Sequence, residues 1–126
     1  ALPGNVLSQK FYDLSFDAGF IPLITRVFQN NLHRNLSIDK MSEKLCMSKS
    51  SLNQKCREIL GASPSRAFKK LKMQKAMLLL QQSSMSVKQV SAFLGFSDQY
   101  HFSKVFKRFY DVPPSQVKPG SATISR

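Results

Sequence analysis

The sequence predicts an all-α protein in which two helix-turn-helix subdomains are joined by a long linker helix, about seven helices in total. Three observations predict it. Apolar residues recur at helical spacing through the central segments. Serines stand where helix starts need side-chain caps. One two-helix stretch occurs twice, first over Ser37 to Phe68 and again over Ser86 to Pro114.

The first nineteen residues begin at Ala1, contain Pro3, Gly4 and several serines, and hold no sustained period. They read as a linker or a cloning remnant, with something preceding them in the intact protein. From Phe20 a helix is expected. Leu23, Ile24, Val27, Phe28 and Leu32 make one apolar stripe, Pro22 is tolerable only near the first turn, and Asn30, Asn31 and Asn35 mark a frayed end.

The first unit covers about 37–61. Ile38, Met41 and Leu45 form the supporting helix, and Leu52, Cys56, Ile59 and Leu60 bury a second helix against it. That leaves Lys49, Ser50, Asn53, Gln54 and Arg57 facing outward. Asn and Gln can make paired hydrogen bonds to adenine, while Lys and Arg reach guanine or phosphate. Ser48, as N-cap, would bring free helix amides up to a phosphate.

A linker helix then runs over about 64–82, with Ser63 as N-cap and Pro64 at its first position. Its length of about 27 Å is comparable with the ~34 Å between successive exposures of the major groove on one side of DNA. Phe68, Leu71, Met73, Ala76, Met77, Leu79 and Leu80 wrap most of the way round its end, as expected of a helix packed on both units. Arg66, Lys69, Lys70, Lys72 and Lys75 crowd its first half. A solvated charged face would explain them, but with almost no acid nearby to balance them, anchoring on the DNA backbone is preferred.

The second unit covers about 86–111. Val87, Val90 and Leu94 share a face, and Ser86 with Gln89 three residues later forms a capping box. Gly95 supplies a positive-φ turn, Phe96 drops between the helices, and Ser97 is expected to cap the second helix. Phe102, Val105, Phe106, Phe109 and Tyr110 bury that helix, whereas Gln99, Tyr100, Ser103, Lys104, Lys107 and Arg108 take the other side, with His101 beside them.

One such hairpin could be ordinary, its polar face merely solvated. Duplication argues otherwise. Ser37, Ser42, Leu45 and Ser48 match Ser86, Ser91, Leu94 and Ser97 at an offset of 49; Leu52, Cys56, Arg57 and Ile59 match Phe102, Phe106, Lys107 and Phe109 at 50. Core and charge stay in phase, and the single insertion falls in the turn.

Composition bounds the partner. Lys and Arg number 19 against 7 Asp and Glu, a formal charge of +12, so polyanions are attracted in a salt-dependent way. A membrane is the weaker choice, since the longest apolar run is only Ala76 to Leu80. Cys46, Cys56, His33 and His101 have no metal-ligand spacing, and no paired acids, nucleophile set or phosphate loop is present; neither cofactor, metal nor catalysis is expected.

From about Phe20 to Lys118 the chain resembles the DNA-binding region of the AraC/XylS family of bacterial transcription regulators. The likeness rests on Leu45 to Leu52, on Ser63-Pro64 with Lys72-Met73, Ala76 and Leu79-Leu80, and above all on Gly95-Phe96-Ser97-Asp98, Tyr100 to Phe102, Phe106-Lys107 and Pro113-Pro114. The resemblance implies a seven-helix domain over 20–118, with a short closing helix near Pro114 to Lys118 and a flexible tail over 119–126. It implies base reading by Ser50, Asn53 and Gln54 in one unit and by Gln99, His101, Ser103 and Lys104 in the other. Backbone contacts are expected from Ser48, Lys49, Arg57, Arg66, Lys69, Lys70, Lys72, Ser97, Tyr100, Lys107 and Arg108. The sequence departs from the family at Ala67, where an aromatic is usual, at Lys72 for Arg, and at Cys46 and Asp111 for Gly.

The expected function is therefore sequence-specific binding of double-stranded promoter DNA, regulating transcription in the bacterial cytoplasm, on the nucleoid. RNA polymerase is the expected protein partner, and the intact protein is expected to carry an N-terminal sensory, dimerisation or receiver domain. Two other readings remain open: a sequence-indifferent nucleic-acid binder, for which the charge suffices, and a helical protein-interaction module.

Overall fold

A computed structural model of the chain describes residues 19–119; the expected leading linker up to 18 and the tail from 120 lie outside the described residues. Six α-helices and a closing 3-10 turn follow one another, with no strand among the described residues. The first, α1, runs over 19–30. Phe20, Ile24 and Phe28, each four residues on from the last, bury its ridge, and Leu32 continues the line. Leu23 does not join them. It lies a hundred degrees round from Ile24 and is 56% exposed. Nor is Asn31 frayed: it is buried, and its Nδ2 donates to the Val27 carbonyl at 2.6 Å, satisfying an acceptor that the helix end leaves open.

The first unit is α2, Ile38–Leu45, then α3, Lys49–Lys55, which continues as a π-helical turn over Cys56–Leu60. The strut α4 is Pro64–Gln82, and the second unit is α5, Val87–Phe93, with α6, Gln99–Tyr110. The 3-10 turn Pro114–Val117 closes the chain, and the Lys118 ammonium donates to the Met85 carbonyl beside it.

Local chemistry sets these boundaries. The hydroxyls of Ser37, Ser48, Ser63 and Ser86 accept from the amides of Lys40, Ser51, Arg66 and Gln89. Each such cap stabilises its helix by about 1 kcal/mol. Ser86 completes a capping box, its own amide donating to Gln89 Oε1 at 2.8 Å. Position 97 is different. The cap of α6 is Asp98, whose Oδ1 accepts from the Tyr100 amide at 2.7 Å, so Ser97 sits in the connection instead. Asp98 stands fifty positions beyond Ser48, which means that the extra residue of the second turn precedes the cap.

The duplication extends to the backbone. Cys46, at φ 54°, and Gly95, at φ 82°, occupy the left-handed region at equivalent points. The Cys46 and Met47 amides donate to Glu43 and Ser42; those of Gly95 and Phe96 donate to Ala92 and Ser91. Met41, Leu52 and Cys56 are fully buried in the first unit, as are Val90, Phe102 and Phe106 in the second. Leu60 breaks the expected pattern at 37% exposure. Bonding from i to i+5 widens the turn, so Leu60, four residues after buried Cys56, does not return to the same face.

The strut joins the units. Phe68, Met73, Ala76 and Leu80 are buried along it, and it packs on the π-turn of the first unit and on α5, α6 and the 3-10 turn of the second. A single apolar cluster runs through both units. No helix among the described residues is long and apolar enough to cross a membrane.

Candidate nucleic-acid interface

Burying one edge of α3 fixes what the other edge presents. With Leu52 and Cys56 inside, Lys49, Ser50, Asn53, Gln54 and Arg57 are all exposed, on one outward face at spacings of three and four. Ser48 sets their N-terminal end. These side chains are already organised by hydrogen bonds: Arg57 Nε donates to Asn53 Oδ1 at 3.3 Å, and Gln54 Nε2 donates to Glu58 Oε1 at 3.0 Å. Lys49 Nζ lies 2.8 Å from Asp39 on α2, and that bond and charge hold its ammonium above the usual lysine value. Both partners are largely exposed, so the pair is easily exchanged for a phosphate.

Glu58 and Asp39 were absent from the sequence-predicted site. Glu58 had a readable signal, standing four residues after Gln54 on the same helix. Asp39 had none, because its bond to Lys49 crosses between helices.

On α6, Phe102, Val105 and Phe106 are buried and Phe109 and Tyr110 half-buried, leaving Tyr100, His101, Lys104, Lys107 and Arg108 exposed. Tyr100 is the most prominent at 73% exposure. Gln99 and Ser103 are half-buried. His101 turns toward the turn residue Phe96, ring edge to ring face at 5.4 Å, and Phe96 itself packs on Phe102 at 5.3 Å. Phe96 thus fills the space between the helices, as its position after Gly95 predicted.

The cations of α4 do not share one surface. Lys69 lines a cleft of about 490 Å³ between the units, together with Ser37, Ser65, Ser97 and His101. Arg66 and Lys70, one turn apart, line another groove, where the Arg66 guanidinium stands 5.9 Å from the Phe109 ring centroid. Lys75 lines a third with His33 and Phe93. Lys72 corrects the sequence reading. Only 4% exposed, it donates from Nζ to the Arg34 carbonyl at 2.8 Å, and burial, with the Lys69 charge as a second cause, lowers its pKa to about 8. Its ammonium is committed inside the protein and is not a free backbone anchor. The signal was present in the sequence, since Lys72 lies midway between Phe68 and Ala76 on the buried ridge.

Chemically, both outward faces combine hydrogen-bonding side chains with cations and carry few acids. No group of three or more His, Cys, Asp or Glu that could hold a metal occurs among the described residues.

Comparison with known proteins places this geometry. Residues 41–119 match the family described as "Helix-turn-helix domain". Over 97 residues the chain is 31% identical to the HTH-type transcriptional regulator GbdR of Pseudomonas aeruginosa, an alignment covering 77% of this chain and 26% of GbdR. The chain thus spans about a quarter of that relative's length. Among solved structures, an AraC-type transcriptional regulator from Chromobacterium violaceum superposes with a TM-score of 0.74 at 28% identity, covering 83% of this chain and 96% of that one. The DNA-binding domain of AdpA, a global transcriptional factor solved in complex with a target DNA, superposes at 0.73 over 82% of this chain and 93% of its own. At 18% identity that last likeness is one of fold.

Proposed function

Because this chain belongs to the AraC-type helix-turn-helix family of transcriptional regulators, we propose that it binds promoter DNA sequence-specifically, with α3 and α6 as its two reading helices in successive major grooves. The observation that carries this reading is the duplicated unit on a single strut: two helices, each buried along one edge and polar along the other, held by one nineteen-residue helix. At 1.5 Å per residue α4 spans about 28 Å, within reach of the ~34 Å repeat of the groove.

In this reading Ser50, Asn53 and Gln54 read one half-site, and Gln99, His101, Ser103 and Lys104 read the other. Lys49, Arg57, Lys69, Lys70, Tyr100, Lys107 and Arg108 position the protein on phosphates, with Arg66, Ser48 and Ser97 assisting. The domain spans 20–118, and the protein acts in the bacterial cytoplasm on nucleoid DNA, with RNA polymerase as its protein partner. An N-terminal sensory, dimerisation or receiver domain supplies the signal, as the small share of GbdR that this chain spans suggests. The function is binding, not catalysis.

The charge of +12 favours a second reading, sequence-indifferent binding. Selection of bound sites from random duplexes with the 126-residue chain separates the two. Enrichment of a bipartite motif supports site-specific reading. Recovery of unenriched sequence would leave only the electrostatic one, and no duplex binding at physiological salt would point to a protein-interaction module.

A further inference from the structure

We propose that Lys72, with Gly95 and Phe96, forms a joint that fixes the pitch between the two reading helices, making Lys72 a positioning residue for half-site spacing. The proposal rests on the reading of α3 and α6 as a pair of DNA readers.

Three elements that belong to different parts of the molecule meet at this joint. Lys72 comes from the strut, Arg34 from the segment leading into the first unit, and Gly95 and Phe96 from the turn of the second. The Lys72 ammonium donates to the Arg34 carbonyl at 2.8 Å while standing 4.9 Å from the Phe68 ring centroid and 5.5 Å from that of Phe96. A cation held over two rings and against a carbonyl is attracted by all three, and more strongly because little of the lysine is exposed, although all of these side chains border the cleft that Lys69 lines. Gly95 closes the arrangement from the other side. A Cβ built there would lie 2.6 Å from the His33 carbonyl oxygen and 2.9 Å from Arg34 Cα, so the second turn rests directly on the backbone that leads into α2.

Each unit packs on α4, the first through its π-turn and the second through α5 and α6, and α1 packs there too, Phe28 against Phe68 at 5.2 Å. Those contacts tie each unit to the strut. The Lys72 joint adds a contact that runs from the strut to the segment before α2 and to the turn of the second unit at once, and so couples the two units to each other. A buried ammonium with a specific acceptor is a sharper constraint than apolar contact, because displacement by an ångström or two leaves a charge without its partner. Burial, and next the charge of Lys69, already depress this lysine's pKa, so the cation is held at some cost. The Lys72 ammonium is committed to the Arg34 carbonyl, so its influence on DNA is exerted through the pose of α3 relative to α6.

The test is a panel of duplexes carrying both selected half-sites with the intervening spacing changed by one base pair in either direction, titrated at several salt concentrations. Wild type is expected to favour one spacing by tenfold or more. Lys72→Met keeps the apolar stem and removes the ammonium; it is expected to reduce that preference below threefold with the salt slope unchanged, and Lys72→Arg to restore it. Should Lys72→Met prove unfolded by circular dichroism, Phe96→Leu removes one ring face and keeps the apolar fill, with the same flattening expected. An unaltered spacing profile in the folded variant overturns the joint. So does uniform weakening at every spacing with a salt slope reduced by about one, which is the signature of a phosphate contact. Wild type that binds its motif at all spacings alike also refutes the joint, whereas wild type with no motif refutes the underlying reading of α3 and α6.

Discussion

A methyl group at position 95 has nowhere to go. Gly95 has φ 82°, and an added Cβ would fall 2.6 Å from the His33 carbonyl oxygen and 2.9 Å from Arg34 Cα, both backbone atoms that no rotamer change can move. Gly61 is the natural control: its φ is 77°, yet nothing lies within 4 Å of its would-be Cβ. Gly61→Ala therefore carries only the left-handed backbone penalty, about 1 to 2 kcal/mol. Gly95→Ala carries the same penalty plus the displacement of packed backbone, about 1 to 3 kcal/mol more by analogy with overpacked cores. For a domain of this size about 1 kcal/mol shifts Tm by roughly 4 to 8 °C, so the two variants should differ by at least about 4 °C. Cys46, at the corresponding point of the first turn, gives the converse. Its φ of 54° is relieved in Cys46→Gly, and after the entropic cost of glycine the expected gain is about 0.5 to 1 kcal/mol. Thermal unfolding followed by circular dichroism at one pH measures all three. Equal losses for the two alanine variants would refute the close approach of the second turn to the first unit.

Stability should also respond to alkali in two stages. Burial lowers Lys72 to about 8, so above that pH the unfolded chain binds more protons than the folded one, and stability rises from about pH 8 to 9 by up to roughly 1 kcal/mol. Burial raises the Cys56 thiol to about 11, so above about pH 9 the unfolded thiol ionises first and opposes the lysine's gain; the rise slows, and stability turns downward at about pH 10. Denaturant titrations across this range should show the rise in wild type and not in Lys72→Met; a steady fall from pH 7 in wild type would contradict the buried ammonium. On DNA, Gln54→Ala and Lys104→Ala should each relax base preference by about 1 to 3 kcal/mol at different half-sites, while Lys70→Ala weakens all sequences alike and lowers the salt slope by about one. Identical behaviour of the three in anisotropy titrations would show readers and anchors to be misassigned. Glu58→Gln should tighten binding, more at low salt than at high, by removing an acid beside Gln54. Unchanged affinity at low salt would place Glu58 away from the DNA.

What the sequence disclosed was what neighbouring residues decide. The serine caps, Pro64 at the start of the strut and the Ser86–Gln89 box satisfy amides within one turn, so their chemistry is complete in a window of a few residues. The outward faces of α3 and α6 were equally legible, because burying Leu52 or Phe102 determines which residues lie opposite. Leu60 was misread because periodicity assumes an α-helix and the turn there is wider. Ser97 was misread because two adjacent residues, both good caps, compete, and the path of the turn chooses Asp98. Lys72 shows the sharper limit: its charge suggested solvent, its register between Phe68 and Ala76 suggested the core, and only the Arg34 carbonyl, 38 positions away, decides in favour of the core. The Lys49–Asp39 pair likewise depends on how two helices meet.

Whether two helices of one chain enter neighbouring grooves on the same side of a duplex is decided most directly by hydroxyl-radical cleavage of a selected site with the protein bound. Protection is expected in two windows whose centres are about ten to eleven base pairs apart, displaced on the two strands as binding to one face requires. A single protected window, or protection spread evenly round the duplex, would contradict the account.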